Sequence, residues 1–294
     1  LPEIPPQIEH LEIDAPVEWQ SLPAASKLNH LHVKHNVTAF PGTLELPPSL
    51  KTLRLESRNH LHITLTRLFT PHLTALYAPW EFAIGHAAIL PRTLQILHVH
   101  GWTCLEEAAE LPPKLQELVA SNEYERGRRV SYHTLPSSHP RNSKHKEPIP
   151  WPKTLQRLEL QTLSNFPDSC FASLADLTEL HTLYLGSTQD MCSLDMMNFI
   201  PPSLKSITMK SRDALTAEHL KHCPPRMRFI DIQSTEDTRL TDTELLLLLR
   251  GLAKLHLPIS PSLTDDFAEF LPPYLPKLGT VINRSKLVLR AKES

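Results

Sequence analysis

The chain has 294 residues, a formal net charge of −2 at pH 7, and 28 prolines but only 7 glycines. Such a balanced charge gives no global field that would hold nucleic acid or an acidic membrane surface. No run approaches the roughly 20 apolar residues of a membrane helix, and the 4 cysteines are scattered rather than paired as in zinc sites or small secreted domains. We therefore expect an intracellular, cytoplasmic protein that makes no membrane contact and selects its partner through local surface features.

One apolar pattern, Φ-P-P-x-L-x-x-L-x-L with Φ an apolar residue, recurs from the first residues to nearly the last. Its clearest copy is LPPSLKTLRL at residues 46–55. Further copies occupy residues 4–13, 90–99, 111–120, 200–209 and 223–232. The recurrence indicates a repeat array, which grows in length without thickening its core.

The first leucine of each L-x-x-L-x-L, or the apolar residue in its place, marks the period. Twelve such markers occur: Ile8, Leu28, Leu50, Leu73, Leu94, Leu115, Leu155, Leu180, Leu204, Met227, Leu252 and Leu278. A period in the twenties resembles that of leucine-rich-repeat proteins along nearly the whole chain. The resemblance implies an α/β solenoid: a curved array of about twelve repeats with a parallel sheet on its concave side.

Each L-x-x-L-x-L also predicts a short strand from its alternation alone. Leu53 and Leu55 should point inward, while Thr52, Arg54 and Glu56 face solvent. One such strand cannot bury its apolar side, so the strands must stack side by side. The prolines suit the turn before a strand, because proline lacks the N–H that a paired strand needs.

The two halves of the array differ in the length of their repeats. Before Leu115 the markers are 20 to 23 residues apart, which leaves room only for short extended or 3₁₀ segments on the convex side. After Leu155 they are 23 to 26 apart, and we expect helices at residues 168–177, 216–222, 241–250 and 264–270. Thr241 and Glu244 form a capping-box pattern at the start of the third helix.

We expect one domain over residues 1–294, interrupted by an insertion. Residues 121–150 lack apolar periodicity and are rich in Ser, Pro and basic residues, which predicts a mobile loop. Its basic side chains are Arg126, Arg128, Arg129, Arg141, Lys144 and Lys146. Only Tyr124 and Tyr132 could stack on bases, so we favour a solvated loop or a contact with an acidic protein over nucleic acid.

The solvent-facing positions of the strands form a second, variable row that is the candidate binding surface. The residues predicted to contact a partner are His30, His32, Arg54, Tyr77, His98, His100, Glu159, Tyr184 and Asp231. Arginine and aromatic side chains tend to dominate binding energy, so His32, Arg54, Tyr77 and His98 form the preferred patch. The alternative is a solvated sheet face that binds no partner.

Catalysis, metal binding and small-molecule binding find no support in the sequence. The chain has no G-x-x-x-x-G-K-[ST], G-x-S-x-G or H-E-x-x-H motif. His10, His30 and His32 share a predicted face, but no Cys or carboxylate clearly completes a zinc site. We expect no enzyme activity, no metal, no cofactor and no small-molecule ligand.

These observations predict a non-catalytic scaffold that binds a protein partner through the concave sheet face. Two alternatives remain open. Residues 240–257 and 263–281 resemble repeats of F-box leucine-rich-repeat proteins, and the Pro-Pro-x-L units resemble bacterial effector repeats, which implies the substrate-recognition subunit of a ubiquitin ligase. The other alternative is a structural subunit of a large assembly, with its convex side and basic loop buried.

Overall fold

The structure is a computed structural model of the chain. It describes residues 5–14, 27–34, 46–56, 70–78, 82–83, 90–100, 102–104, 111–121, 150–161, 168–186, 191–236, 240–241, 243–244, 252–258, 278–283 and 286–291. Of the predicted insertion, only the two end residues fall within these ranges, so its six basic side chains lie outside the described residues. The extended or 3₁₀ segments predicted for the first half also lie outside them.

The contacts divide the chain into two compact units. The first comprises Leu1–His145 with Pro150–Leu155, and the second comprises Lys146–Ile149 with Gln156–Ser294. We call them the first unit and the second unit. The single domain over residues 1–294 stays a prediction.

The first unit is built on six parallel strands among its described residues. The strands of the unit are β1 (His10–Ile13), β2 (His30–Val33), β3 (Thr52–Leu55), β4 (Ala75–Ala78), β5 (Phe82–Ala83), β6 (Ile96–His100), β7 (Trp102–Cys104) and β8 (Glu117–Ser121). The main sheet has the order β1-β2-β3-β4-β6-β8, and β5 pairs with β7 in a small separate sheet. Each of the six main strands follows one of the predicted markers, as the repeat pattern requires.

The second unit begins with five more parallel strands and ends differently. They are β9 (Arg157–Leu160), β10 (Thr182–Leu185), β11 (Ser206–Ser211), β12 (Phe229–Ser234) and β13 (Lys254–Pro258). Two further strands, β14 (Leu278–Asn283) and β15 (Lys286–Ala291), complete the sheet in the order β13-β15-β14. Both of the last pairings are antiparallel.

β14 begins at the last marker, Leu278, and pairs with β15 in the antiparallel direction, so it does not extend the parallel stack. The count of twelve repeats is therefore not confirmed. Only residues 284 and 285 separate β14 from β15. A connection that short joins antiparallel strands, whereas parallel neighbours need a crossover of about a dozen residues or more. The alternating apolar pattern predicted a strand at this place correctly but could not give its direction.

The proline pairs close a tight turn before the strands. The N–H of Leu50 donates to the Pro47 carbonyl at 3.0 Å, and the N–H of Leu115 donates to the Pro112 carbonyl at 3.0 Å. In both turns a second proline follows the first, and proline is favoured there because its φ is already fixed near the required value. The turn delivers each marker leucine to the core, where Leu50 and Leu115 are fully buried.

A hydroxyl side chain next to the marker leucine connects one repeat to the repeat before it. The hydroxyl oxygens of Ser49, Thr93, Thr154 and Ser203 lie 2.8 to 2.9 Å from the carbonyl oxygens of Leu28, Leu73, Leu115 and Leu180, respectively. Each hydroxyl donates to a carbonyl that the preceding turn leaves available. The pattern Φ-P-x-[ST]-L therefore carries an inter-repeat hydrogen bond that the leucine periodicity does not reveal.

Helical residues occur at three of the four predicted places, and residues 243 and 244 of the third are α-helical. Asp168–Asp176 forms a 3₁₀ helix, and α1 (Ala217–Lys221) lies within the second predicted segment. Another 3₁₀ helix, Leu194–Phe199, was not predicted. At the start of the third segment, the Thr241 N–H donates to the Glu244 carboxylate at 2.8 Å, as the capping box requires. Residues 245–250 and the fourth segment lie outside the described residues. Helices along the whole second half are thus not confirmed.

Candidate functional site

The predicted variable row is a real line of neighbouring side chains in the first unit. The strand pairing places Glu12 opposite His32, His32 opposite Arg54, Arg54 opposite Tyr77, and Tyr77 opposite His98. The next partner in the register is Val119, which is buried. The polar row is therefore continuous from β1 to β6 and gives way to an apolar side chain in β8.

The residues on either side of this row point the other way and form the core. Leu31, Leu53, Leu76, Leu97 and Leu118 occupy one register position and are each at most 3% exposed. A leucine therefore recurs at the same depth in successive parallel strands, at the place that the sequence repeat assigns to it. The described strands therefore have the arrangement of leucine-rich repeats.

Comparison with known proteins adds little to this assignment. No family model matches the chain, and no curated protein matches it. Among solved structures, it is similar to CroV588, described as a novel circular LRR protein, with 16% identity and a TM-score of 0.38. The match covers 78% of this chain, and the chain spans only 37% of the length of CroV588.

At one end of the row, His32 bridges two carboxylates on neighbouring strands. Its Nδ1 lies 3.5 Å from Glu12 Oε2, and its Nε2 lies 3.0 Å from Glu56 Oε1. Lys34 binds the other oxygen of Glu12. The hydrogen bond from Lys34 is the main reason that the pKa of Glu12 is lowered, and the same bond raises the pKa of Lys34. Both ring nitrogens of His32 are thus engaged, and the imidazole is only 23% exposed.

The centre of the row is an arginine held between a carboxylate and an aromatic ring. Arg54 Nε and Nη2 lie 3.0 and 2.9 Å from Glu56 Oε1, the same oxygen that His32 contacts. The guanidinium carbon lies 5.8 Å from the centre of the Tyr77 ring, within the range of a cation–π contact. Arg54 is nevertheless 53% exposed, so it is fixed in direction and still open to solvent.

Tyr77 continues the contact chain to the next strands. Its ring meets the His98 imidazole edge to face, with ring centres 4.7 Å apart and an angle of 69° between the planes. His98 Nε2 in turn lies 3.0 Å from Glu117 Oε1 on β8. Burial, followed by the negative charge of Glu117, raises the pKa of Tyr77, so the phenol is neutral near pH 7. The structure therefore connects six strands through side-chain contacts.

We call these seven residues the first-unit patch. Its members are Glu12, His32, Arg54, Glu56, Tyr77, His98 and Glu117. All four residues of the preferred sequence patch belong to it. Glu117 was missed because it precedes the middle position of its strand, and only its spacing of two residues before Val119 could have placed it on the same face.

Two predicted histidines lie beside the patch. The imidazoles of His10 and His30 stack with their centres 4.3 Å apart and only 4° between their planes. Burial, followed by the nearby His10 and Lys51, lowers the pKa of His30. His100 ends β6, and its side chain lies outside the described residues. The stack shows that the flanking row is also ordered along the strands.

The remaining predicted residues form a corresponding row in the second unit. Glu159 is opposite Tyr184, Tyr184 is opposite Thr208, and Thr208 is opposite Asp231. Arg157 Nε donates to Glu159 Oε1 at 2.9 Å, which repeats the contact between Arg54 and Glu56. The structure thus brings the three predicted residues into one register row, although Thr208 separates Tyr184 from Asp231.

Asp231 also contacts a histidine that the predicted set did not include. His256 Nδ1 lies 3.4 Å from Asp231 Oδ2, and the Phe229 ring lies 6.4 Å from the imidazole. His256 Nε2 is buried and has no hydrogen-bond partner among the described residues. Since the Nε2 atom is inaccessible, this pair does not offer a general base to a substrate from solvent.

In the part of the chain that the structure describes, no three His, Cys, Asp or Glu side chains are grouped as metal ligands. Within the same ranges, no helix is long and apolar enough to cross a membrane. The six basic residues of the predicted insertion stay a prediction, because they lie outside those ranges.

A cavity of about 510 Å³ lies beside α1 in the second unit. Its apolar walls include Leu220, Met227 and Leu252, which are core residues of this unit. Its charged residues are already paired, since Glu218 binds Lys221 and Glu244 binds Thr241. A ligand site normally directs a few polar groups toward the ligand, and the described walls of this cavity do not.

Proposed function

We propose that the chain is a non-catalytic protein-binding module and that the first-unit patch is its contact surface. The observation that carries the proposal is the continuous chain of contacts through His32, Arg54, Tyr77 and His98. Those four side chains stay partly exposed although each is held by a neighbour. Side chains that are already ordered lose little conformational entropy when a partner binds.

The residue types support a protein partner more than a small molecule. Arginine and tyrosine are enriched among the residues that dominate protein interfaces, particularly near the centre of the contact area. Arg54 and Tyr77 occupy the two central strands of the six, β3 and β4. The open side of a sheet suits a protein surface, whereas a small ligand is usually enclosed in a concave pocket.

We extend the proposal to the row of the second unit. Glu159, Tyr184 and Asp231 are partly exposed on parallel strands in the same way, and Arg157 and His256 engage their carboxylates. This row is a second contact surface of the same kind. It differs from the first-unit patch because the polar Thr208 stands between its aromatic and acidic members.

The proposal is tested by affinity capture from the cells that make the protein, followed by quantitative mass spectrometry. Wild type, Tyr77→Ala, His98→Ala and Lys114→Ala are compared at equal bait concentration. Lys114 is exposed in the turn before β8 and does not belong to the patch, so its replacement is the matched control. We expect Tyr77→Ala to lose a protein that wild type and Lys114→Ala both retain.

Tyr77→Ala and His98→Ala that fold normally and retain every captured protein would show that the first-unit patch is not the contact surface. Circular dichroism and the melting temperature report folding. A small shift is expected for both variants because both side chains are partly exposed.

A further inference from the structure

We infer that the first-unit patch recognises a carboxylate group of its protein partner and that Arg54 is the residue that binds it. The inference rests on the proposed function, because it names the chemistry of the partner at the same surface. It is carried by the way in which the guanidinium of Arg54 is held. The partner is accordingly a protein that presents an exposed Asp or Glu side chain.

The contacts of Arg54 use only one edge of its guanidinium group. Both Nε and Nη2 point toward Glu56 Oε1, Nε at a distance of 3.0 Å and Nη2 at 2.9 Å. Nη1 has no hydrogen-bond partner among the described residues. A guanidinium has five N–H donors in a rigid plane, so the end formed by Nη1 and Nη2 can still donate two parallel hydrogen bonds to a carboxylate.

The surroundings hold that free edge in place. Glu56 fixes one side of the guanidinium, and the Tyr77 ring lies 5.8 Å from its carbon. Arginine in such an arrangement loses less rotamer freedom on binding than a free surface side chain. The exposed fraction of 53% leaves room for a partner to approach.

The nearby carboxylates do not make a basic partner the better fit. Both oxygens of Glu12 are engaged, one by Lys34 and one by His32. Glu117 is engaged by His98, and Glu56 is shared by His32 and Arg54. Each of these acids already has a cationic or imidazole partner within the patch, whereas the free edge of Arg54 is a strong charged donor without one in the described part of the chain.

The test uses a phage library of random twelve-residue peptides at physiological salt. Selections run in parallel on wild type, Arg54→Ala, Tyr77→Ala and Arg92→Ala. Arg92 is the matched control because it is an exposed arginine of the first unit that lies in the turn before β6, outside the patch. We expect peptides enriched in Asp and Glu from wild type and Arg92→Ala, and loss of that enrichment on Arg54→Ala.

The strongest peptide is then synthesised and its affinity is measured by fluorescence anisotropy. Replacing its critical Asp by Asn, or Arg54 by Ala, should each weaken binding by about tenfold or more. The two changes together should cost little more than one of them, since both remove the same pair of hydrogen bonds. Additive losses would overturn the inference, because they would place the peptide carboxylate elsewhere.

The outcomes separate the inference from the function on which it rests. Peptides that need Tyr77 but bind Arg54→Ala as well as wild type overturn the carboxylate assignment and leave the patch as a contact surface. Peptides that neither substitution weakens overturn both. A wild-type selection that yields no enriched sequence also counts against both, because the folded wild-type protein, with Arg54 and Tyr77 in place, then binds no peptide.

Discussion

The guanidinium carbon of Arg54 lies 5.8 Å from the centre of the Tyr77 ring, so a cation on β3 faces the phenol of the next strand. Arg54 therefore favours the ionised phenol, while burial and Glu117 oppose ionisation. Burial and Glu117 prevail, and the pKa of Tyr77 is raised. The relationship can be tested by titration.

We predict that Tyr77 ionises above the ordinary range of tyrosine. Glu117→Gln should lower its pKa and Arg54→Ala should raise it further, because the first removes a negative and the second a positive neighbour. The measurement is the ultraviolet absorbance of tyrosinate, taken as the difference between each protein and its Tyr77→Phe counterpart. Opposite shifts would mean that these charges do not act on Tyr77.

The same raised pKa predicts an alkaline loss of stability. Because the pKa is higher in the folded state, the stabilisation from neutral Tyr77 is complete below the pKa of an unfolded tyrosine. It is lost as the pH rises through the folded pKa. The melting temperature of wild type should therefore fall more steeply than that of Tyr77→Phe over this alkaline window.

The stacked pair of His10 and His30 gives a prediction in the acid range. Burial is the main cause of the lowered pKa of His30, and the charge of His10 is the next. His10→Phe keeps a ring but removes the charge, so the pKa of His30 should rise and still stay below the ordinary histidine value. His10→Ala also uncovers the ring and should raise it further, as followed by NMR titration of the imidazole.

The sign of the stability effect follows from the lowered pKa. Stabilisation by neutral His30 is present above the pKa of an unfolded histidine and is lost as the pH falls through the folded value. Wild type should therefore lose stability on acidification between the unfolded and the folded pKa of His30. His10→Ala brings these two pKa values closer together, so the variant should lose less stability over that pH range. Equal pH profiles of melting temperature for the two proteins would contradict this prediction.

The inter-repeat hydroxyl bonds predict a loss of stability that does not depend on hydrophobic burial. Thr93 Oγ1 lies 2.8 Å from the Pro71 carbonyl oxygen and 2.9 Å from the Leu73 carbonyl oxygen. Thr93→Val should lower the free energy of unfolding by about 1 kcal/mol, since it leaves the partly buried Leu73 carbonyl without this donor. Urea unfolding measures this change.

Thr74→Val is the control for that experiment. The Thr74 hydroxyl also donates to a backbone carbonyl, that of Lys51 at 3.1 Å, but this bond is exposed and water can replace it. Its loss should cost less than about 0.5 kcal/mol. Equal losses in the two variants would show that the hydroxyl position next to the marker leucine has no special role.

The thiol of Cys223 should be protected from alkylation in the folded protein. Burial raises its pKa to about 12, from an ordinary value of 9.0. Only the thiolate reacts, so at pH 8 Cys223 should react about a thousandfold more slowly than an ordinary thiol, and restricted access slows it further. Iodoacetamide labelling with peptide-resolved mass spectrometry tests this, with the urea-unfolded chain as the control.

The positions of the strands, and which of their side chains face the core or solvent, could be predicted from the sequence. Eleven of the twelve markers precede a parallel strand, and Leu53 and Leu55 are buried while Arg54 between them is exposed. A strand alternates its side chains strictly, so the period of the leucines determines both the core row and the solvent-facing row. His32, Arg54, Tyr77 and His98 could be placed in one line for this reason alone.

Only the tertiary structure decided which side chains touch and which way the last strands run. The bond between His98 and Glu117 joins residues 19 positions apart, and the bond between His32 and Glu56 joins residues 24 apart. Their geometry depends on register and rotamers across strands, which a one-dimensional pattern does not encode. The antiparallel pairing of β13 with β15 was likewise decided by hydrogen bonding between distant segments, because an alternating apolar pattern is the same in either strand direction.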